Sequence, residues 1–215
     1  MHIAITGNIG AGKTTLAEML AAQFGWEVLY EAVEGNPYLA DFYADMPRWS
    51  FNLQIFFLNS RFAQMKRILD LQQATEAISG RPGVMIQDRT IYEDAAIFAR
   101  NLYQRGDMTQ RDYLTYRQVF DNMTSLVRPP DLMIYLRASL LRLRQRIRKR
   151  GRDFEQAISD EYLDSLNQLY EEFASGYRLG PLLVLDVDKL DYVARSSDFD
   201  EVVNLINTSL ASSGL

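Results

Sequence analysis

One stretch limits what this chain can fold into more than any other: Gly7-Asn8-Ile9-Gly10-Ala11-Gly12-Lys13-Thr14. An apolar run at 3–6 comes just before it, and a good helix former at 15–22 follows. Gly7, Gly12, Lys13 and Thr14 stand at the spacing G-x-x-x-x-G-K-[ST], between a strand and a helix. Glycines let successive backbone N–H groups turn inward around an anion, and the helix adds its positive end. Residues 7–15, closing on Thr15, are therefore expected to cradle a nucleoside triphosphate. Lys13 would reach the outer phosphates and Thr14 would hold Mg²⁺.

Four more short apolar runs, at 28–30, 84–87, 132–136 and 182–185, are separated by helical patterns. That alternation predicts an α/β doubly wound sheet. Glu31, Asp88 and Asp186 close three of the strands, at the sheet edge where ligands bind in such folds. The longest helical pattern runs over 47–79 and stops at 80–83. Its first half, 49–58, is apolar nearly all round and should be buried. A second pair of helices is predicted over 91–105 and 109–126, and helices this long offer a face for a homodimer. No repeat or linker interrupts residues 1–215, so a single domain is expected.

Composition narrows the chemistry. The 215 residues include no cysteine and one histidine, His2, which removes thiolate metal sites and Ser-His-Asp catalysis. Acid–base work would fall to carboxylates. No run approaches the ~18 apolar residues of a membrane span, and the first residues show no signal-peptide pattern, so a cytoplasmic protein is expected. A net charge of −5 argues against a nucleic-acid partner. Yet the cations are 19 Arg and only 4 Lys, and eight of them fall within residues 137–152. Arginine forks match phosphate oxygens.

Several side chains stand out against their surroundings. Gln54 lies within the apolar helix, where an amide needs a partner, either a backbone group or a planar ligand such as a nucleobase. Arg61 is two turns further along the same face. Asp88-Arg89 closes the third strand, where the carboxylate can hold Mg²⁺ and the guanidinium can neutralise a phosphate in transit. Asp94 reads as a helix first-turn acid, as an acceptor from a base amino group, or as a partner for Arg61. Glu31 reads as a solvated loop acid or as a proton acceptor for an attacking hydroxyl. The arginines of 144–152 suit a solvated helix face, a nucleic-acid patch or a lid closing on a triphosphate, with Gly151 at the hinge.

Four segments, "YEAVEGNPYLADFY" (30–43), "RWSFNLQIFFLNSR" (48–61), "DRTIYEDAAIFA" (88–99) and "RIRKRGRDFEQ" (146–156), resemble the deoxyribonucleoside kinase family in order and spacing. The similarity is greatest to its bacterial deoxyadenosine/deoxyguanosine kinases and extends over nearly the whole chain. It implies a P-loop NTPase fold with a five-stranded parallel sheet flanked by helices and an Arg-rich lid at about 144–155. It also implies transfer of the γ-phosphate of ATP, with Mg²⁺, to the 5′-hydroxyl of a deoxyribonucleoside in nucleotide salvage.

By the same resemblance, Glu31 contacts the 5′-hydroxyl as base, and Tyr43 and Glu155 grip the sugar 3′-hydroxyl. Gln54 is bidentate to the base, Phe98 stacks on it, and Arg61 and Asp94 meet its far edge. Asp88 and Arg89 lie near the metal and the 5′-end. Arg146, Arg150 and Arg152 are the lid arginines, and "LDVDK" (185–189), with Asp186 and Asp188, holds the donor's adenine. Relatives often have proline after the glutamate, whereas Ala32 stands here, and Asp88 is an alternative base. A nucleoside monophosphate kinase would share the lid but would need cations where Glu31 stands. A nucleotide-binding switch would need no Gln54–Arg61 face. Thymine has no exocyclic amino group, and its methyl would crowd Arg61 and Asp94, so deoxyadenosine or deoxyguanosine is expected to be preferred.

Overall fold

The computed structural model describes residues 1–31, 35–80, 83–152, 155 and 158–212. Five parallel strands form one sheet in the order β2-β3-β1-β4-β5: β1 (His2–Gly7), β2 (Glu27–Leu29), β3 (Met85–Asp88), β4 (Leu132–Arg137) and β5 (Leu182–Asp186). β1 is central and buried along its whole length, which is why its sequence is apolar without alternation. The chain runs from β1 to the β2 edge, returns through β3, and crosses to β4 on the other side. The loop after β1 therefore lies at the switch point of the sheet, where a crevice opens beyond the strand ends.

The five strands lie where they are expected, with ends displaced by no more than one residue. β2 ends at Leu29, so Glu31 stands two residues past it, and Asp88 is the last residue of β3 itself. Ala32, next to Glu31, lies outside the described residues.

Helices pack on both faces. On one, α1 (Lys13–Phe24) and the C-terminal α9 (Ser196–Ser212) enclose a core including Ile3, Ile5, Leu16, Leu20 and Ile206. On the other, α3 (Met46–Ser79) packs beside the chain following β3, around Leu53, Leu58, Ile91 and Leu163. Asp45 caps α3 by accepting from the N–H of Arg48, Pro47 occupies its first turn, and Gly80 ends it at φ 71°. The short α2 (Leu39–Ala44) precedes it.

One helix departs from expectation. The segment predicted as a single helix over 91–105 is α4 (Ile91–Glu93), a π-helical stretch (Asp94–Ala99) and α5 (Arg100–Arg105). Such a wide turn carries one residue more than an α-helical turn and is common at functional sites. α6 (Gln110–Thr124) and α7 (Leu140–Arg150) follow on either side of β4, with Thr109 and Ser139 as N-caps. α8 (Asp160–Gly176), capped by Ser159, completes the wall that faces the π-helical stretch and α5. Neither α2, α8 nor α9 was anticipated from the pattern. His2 is buried in β1 and shares a 3.0 Å hydrogen bond with Gln87, a structural role.

Candidate active site

A cavity of about 1070 Å³ opens beyond the strand ends, bounded by the 7–15 loop, α3, the π-helical stretch and α7. The loop conformation depends on its glycines. Gly12 has φ 96° and Gly10 φ 84°, where side-chain-bearing residues are strained. A Cβ on Gly10 would also come within 2.9 Å of Ile147 Cγ1 and Leu143 O, because α7 packs directly on the loop.

Ile9, Gly10, Gly12, Lys13, Thr14 and Thr15 line the cavity, while Gly7, Asn8 and Ala11 lie beneath it. Asn8 fixes the loop from below, donating to Leu163 O at 3.0 Å and to Asn167 Oδ1 at 2.6 Å. Lys13 turns back onto the loop, with Nζ 2.8 Å from Gly7 O and 3.1 Å from Asn8 O. Burial and the nearby Arg89 charge lower its pKa to about 8.

Thr14 Oγ1 donates to Asp88 Oδ2 at 2.5 Å. Oδ1 of Asp88 is buried without a hydrogen-bond partner. A hydroxyl and a carboxylate with one orphaned oxygen, at the mouth of a phosphate loop, fit a hard divalent cation that takes its other ligands from phosphate and water. Among the described residues there is no cluster of three or more acidic, histidine or cysteine ligands.

Glu31 is the electrostatic centre. Arg61 Nη2 and Arg89 Nε both lie 2.9 Å from its Oε1. Burial alone would raise this carboxyl, but Arg89, Arg61 and Lys13 outweigh it and hold it at about 2. Its Oε2 has no hydrogen bond to a described residue. Arg89 has φ 74°, an uncommon backbone state for a residue with a side chain, and its guanidinium lies 4.6 Å over the ring of Phe98.

At the far end, Gln54 is buried and lines the cavity, yet its side chain makes no hydrogen bond to a described residue and its Oε1 is sealed from water. The alternative of a structural backbone bond is therefore not realised. Asp94 also lines the cavity, and burial raises its pKa to about 6. Phe98 lines the cavity too, with one ring face covered by the Arg89 guanidinium.

Five of the expected site residues, Arg61, Arg150, Arg152, Asp186 and Asp188, make contacts that the sequence reading does not include. Arg61 is fully buried and does not line the cavity; it is shared between Glu31 at 2.9 Å and Asp94 at 3.5 Å. Of the lid arginines, only Arg146 reaches the phosphate loop, donating to Ala11 O at 2.5 Å. Arg150 and Arg152 also line the cavity, where they hold Glu155, at 2.5 Å and 3.4 Å. Asp186 and Asp188 lie off the cavity: Asp188 caps the N–H of Ser139, and Asp186 accepts from Asp188 N. Residues 191–194, among them Tyr192, form that part of the wall.

The arginine tract is helical as far as Arg150, and Gly151 ends it at φ 70°. Arg142, Gln145, Arg146 and Lys149 face the cavity, Leu143 and Ile147 face the core, and Arg144 turns away to pair with Asp160. Within the segment expected as a lid, Asp153 and Phe154 lie outside the described residues. Tyr43 lines the cavity near Tyr162 and Glu155, and burial with those neighbours raises its phenol well above the ordinary range.

A family model described as deoxynucleoside kinase matches residues 3–211. The chain belongs to the deoxynucleoside kinase family. Deoxyadenosine/deoxycytidine kinase of Bacillus subtilis is 37% identical over 206 residues, covering 95% of this kinase and 90% of the relative. Deoxyguanosine kinase of the same organism is 36% identical over 204 residues, covering 93% of each. The solved structure of deoxyadenosine kinase from M. mycoides with the products dCMP and a flexible dCDP bound matches with a TM-score of 0.83 at 34% identity. That match covers 97% of this kinase and 100% of the other chain.

Two buried residues of this kinase went unnoticed in the sequence. Glu93 accepts from Thr6 and Tyr170, and Tyr170 accepts from Arg89 at 2.9 Å. Burial raises the Glu93 carboxyl to about 7. The spacing Thr90–Glu93, a capping box, was the available signal, but it points only to a helix start.

Proposed function

We propose that this kinase moves the γ-phosphate of ATP to the 5′-hydroxyl of deoxyadenosine or deoxyguanosine, with Mg²⁺, in cytoplasmic nucleotide salvage. The observation that carries the reading is Glu31, whose Oε1 is tied by two arginines while Oε2 has no hydrogen bond to a described residue. A carboxylate so held can receive a hydroxyl proton without swinging away. The acceptor lies between Glu31 and Gln54, with Tyr43 and Glu155 at its sugar and Phe98 against its base. Gln54 offers the base an unpaired amide, and Asp94 suits an amino group.

At the donor end, Lys13 leaves the loop carbonyls for the β- and γ-phosphates, and Arg89 and Arg146 offset charge on the group in flight. Thr14 and Asp88 would hold Mg²⁺, which supplies charge neutralisation across the donor phosphates when bound. A Glu31 pKa near 2 suits a loose transition state, in which the attacking oxygen gives up its proton late. Positioning then carries most of the rate. The M. mycoides relative binds a nucleoside monophosphate and a diphosphate as products, the pair that such a transfer leaves.

The chain 1–215 acts as one domain whose 144–155 segment closes over the donor. The long helices α3 and α6 offer faces on which a homodimer would form. Acceptor-dependent formation of ADP from ATP, measured with each of the four deoxynucleosides, tests the reading. Turnover that is fastest with thymidine, or that needs no acceptor, overturns it.

A further inference from the structure

Glu93 is fully buried, and the transfer chemistry above does not touch it. Its two oxygens do different work. Oε1 accepts from the N–H of Thr90 at 2.9 Å and closes the capping box. The cap needs no more than that oxygen. Oε2 takes the hydroxyl of Thr6, one residue before the phosphate loop begins, and that of Tyr170 on α8, at 3.2 Å.

The direction of this chain of bonds is forced. A guanidinium only donates, so the oxygen of Tyr170 must accept from Arg89 Nη1, at 2.9 Å. The phenol proton must then go elsewhere, and Glu93 is the acceptor in reach. Nη1 also lies 3.8 Å from Glu93 Oε1. Arg89 meanwhile holds a left-handed backbone, φ 74°, a strained state that persists only where its surroundings over-determine it. Glu31, Phe98 and the Tyr170–Glu93 pair are the surroundings of its side chain.

We propose that Glu93 is a positioning residue for phosphate transfer: through Tyr170 it fixes the Arg89 guanidinium between Glu31 and the donor's terminal phosphate, and through Thr6 it ties that guanidinium to the root of the phosphate loop. The inference rests on the kinase reading above, with Arg89 at the transferring group. In Glu93→Gln the amide oxygen can still serve Thr90, but the NH₂ then faces Thr6 and Tyr170. The Tyr170 oxygen receives that donor, its own proton turns toward Arg89, and the guanidinium is displaced while the helix cap survives.

The test compares full-length wild type, Glu93→Gln, Tyr170→Phe and the double variant. It measures kcat with deoxyadenosine and Mg²⁺–ATP, deoxyadenosine affinity by calorimetry without donor, and thermal melting. Each single variant should lose roughly 10- to 100-fold in kcat, less than the roughly 10²–10³ lost with a direct transition-state donor. Deoxyadenosine affinity should move less than about threefold. The double variant should be no slower than the slower single one, because both act through one guanidinium. A folded Glu93→Gln with wild-type kcat overturns the proposal, as do losses that multiply in the double variant. Should Glu93→Gln fail to fold, Tyr170→Phe decides alone: a lower kcat at unchanged affinity supports the proposal, and a wild-type kcat overturns it. Absence of acceptor phosphorylation by the wild type is a separate result and overturns the kinase reading beneath it.

Discussion

Arg150 grips the carboxylate of Glu155 with both Nε, at 2.9 Å, and Nη2, at 2.5 Å. A residue assigned to the donor thus occupies one assigned to the acceptor sugar. In Glu155→Gln the charge that retains Arg150 and Arg152 is gone, so the KM for ATP should fall or stay unchanged. Use of 3′-hydroxyl acceptors should weaken roughly 10-fold or more, the scale of a charged hydrogen bond. Tyr43→Phe should share the acceptor loss without the donor effect, and 2′,3′-dideoxynucleosides should be affected much less by either. Equal losses on both acceptor types would separate these residues from the 3′-hydroxyl.

Lys13→Ala should lower kcat by about 10²-fold or more while the protein still melts cooperatively. The lysine is buried against two carbonyls of its own loop, and burying a cation there gives little net stability. Thermal melting beside steady-state assays checks both halves, and near-normal turnover would remove the phosphate loop from the mechanism.

Glu31→Gln should reduce kcat by roughly 10²–10⁴. Because the two guanidiniums hold Glu31 at about 2, it stays ionised across the working range. The variant should therefore lower the pH–kcat curve without removing an acid limb above pH 5. The stability effect has a definite sign. The folded pKa lies below the ordinary 4.5, so the ionised Glu31 stabilises fully above that value, and the contribution fades as pH falls toward about 2. The stability gap between wild type and Glu31→Gln, from urea titrations, should narrow between pH 5 and pH 3.

Asp88→Asn should raise the Mg²⁺ concentration needed for half-maximal rate by roughly 10-fold or more, with a smaller loss at saturating metal. A metal titration of both carboxylate variants separates the roles. If Asp88→Asn stays inactive at saturating Mg²⁺ while Glu31→Gln does not, Asp88 is the proton acceptor.

Replacing Arg61 by an apolar residue should cost about 3–5 kcal/mol of stability, since it leaves buried Asp94 without its cation, whereas replacing Asp94 should cost less, because Arg61 keeps Glu31 at 2.9 Å. Replacing both should cost less than the sum and raise relative use of thymidine by making room for its methyl group. The double variant should also be slow with every nucleoside, because Arg61 supplies one of the two guanidiniums on Glu31. A double variant with wild-type kcat would mean that Arg89 alone suffices.

Much of this site is legible because residues stand out of place: glycines where a helix should begin, an amide in an apolar helix, carboxylates at strand ends. Pairing is less legible. Arg61 and Gln54 share a helix face, yet Arg61 spans to Glu31 and Asp94, 30 and 33 residues away in either direction, and no periodicity records that choice. Glu93 is hidden beside Asp94, because two adjacent acids at a helix start read as one solvated first turn. The wall at 191–194 carries no motif in the sequence.

The π-helical stretch has an evolutionary consequence. One surplus residue in Asp94–Ala99 rotates everything after it by about 100° relative to an unbroken α-helix. Asp94 and Phe98 thereby face the cavity while Leu102, further on, packs into the core. Pocket and core are written in different helical reading frames. Substitutions at Ala95 or Ala96 leave that offset intact, whereas deleting either residue would close the wide turn and bring the two frames into phase. The helix would survive such a deletion with better hydrogen bonds than before, and the pocket would not.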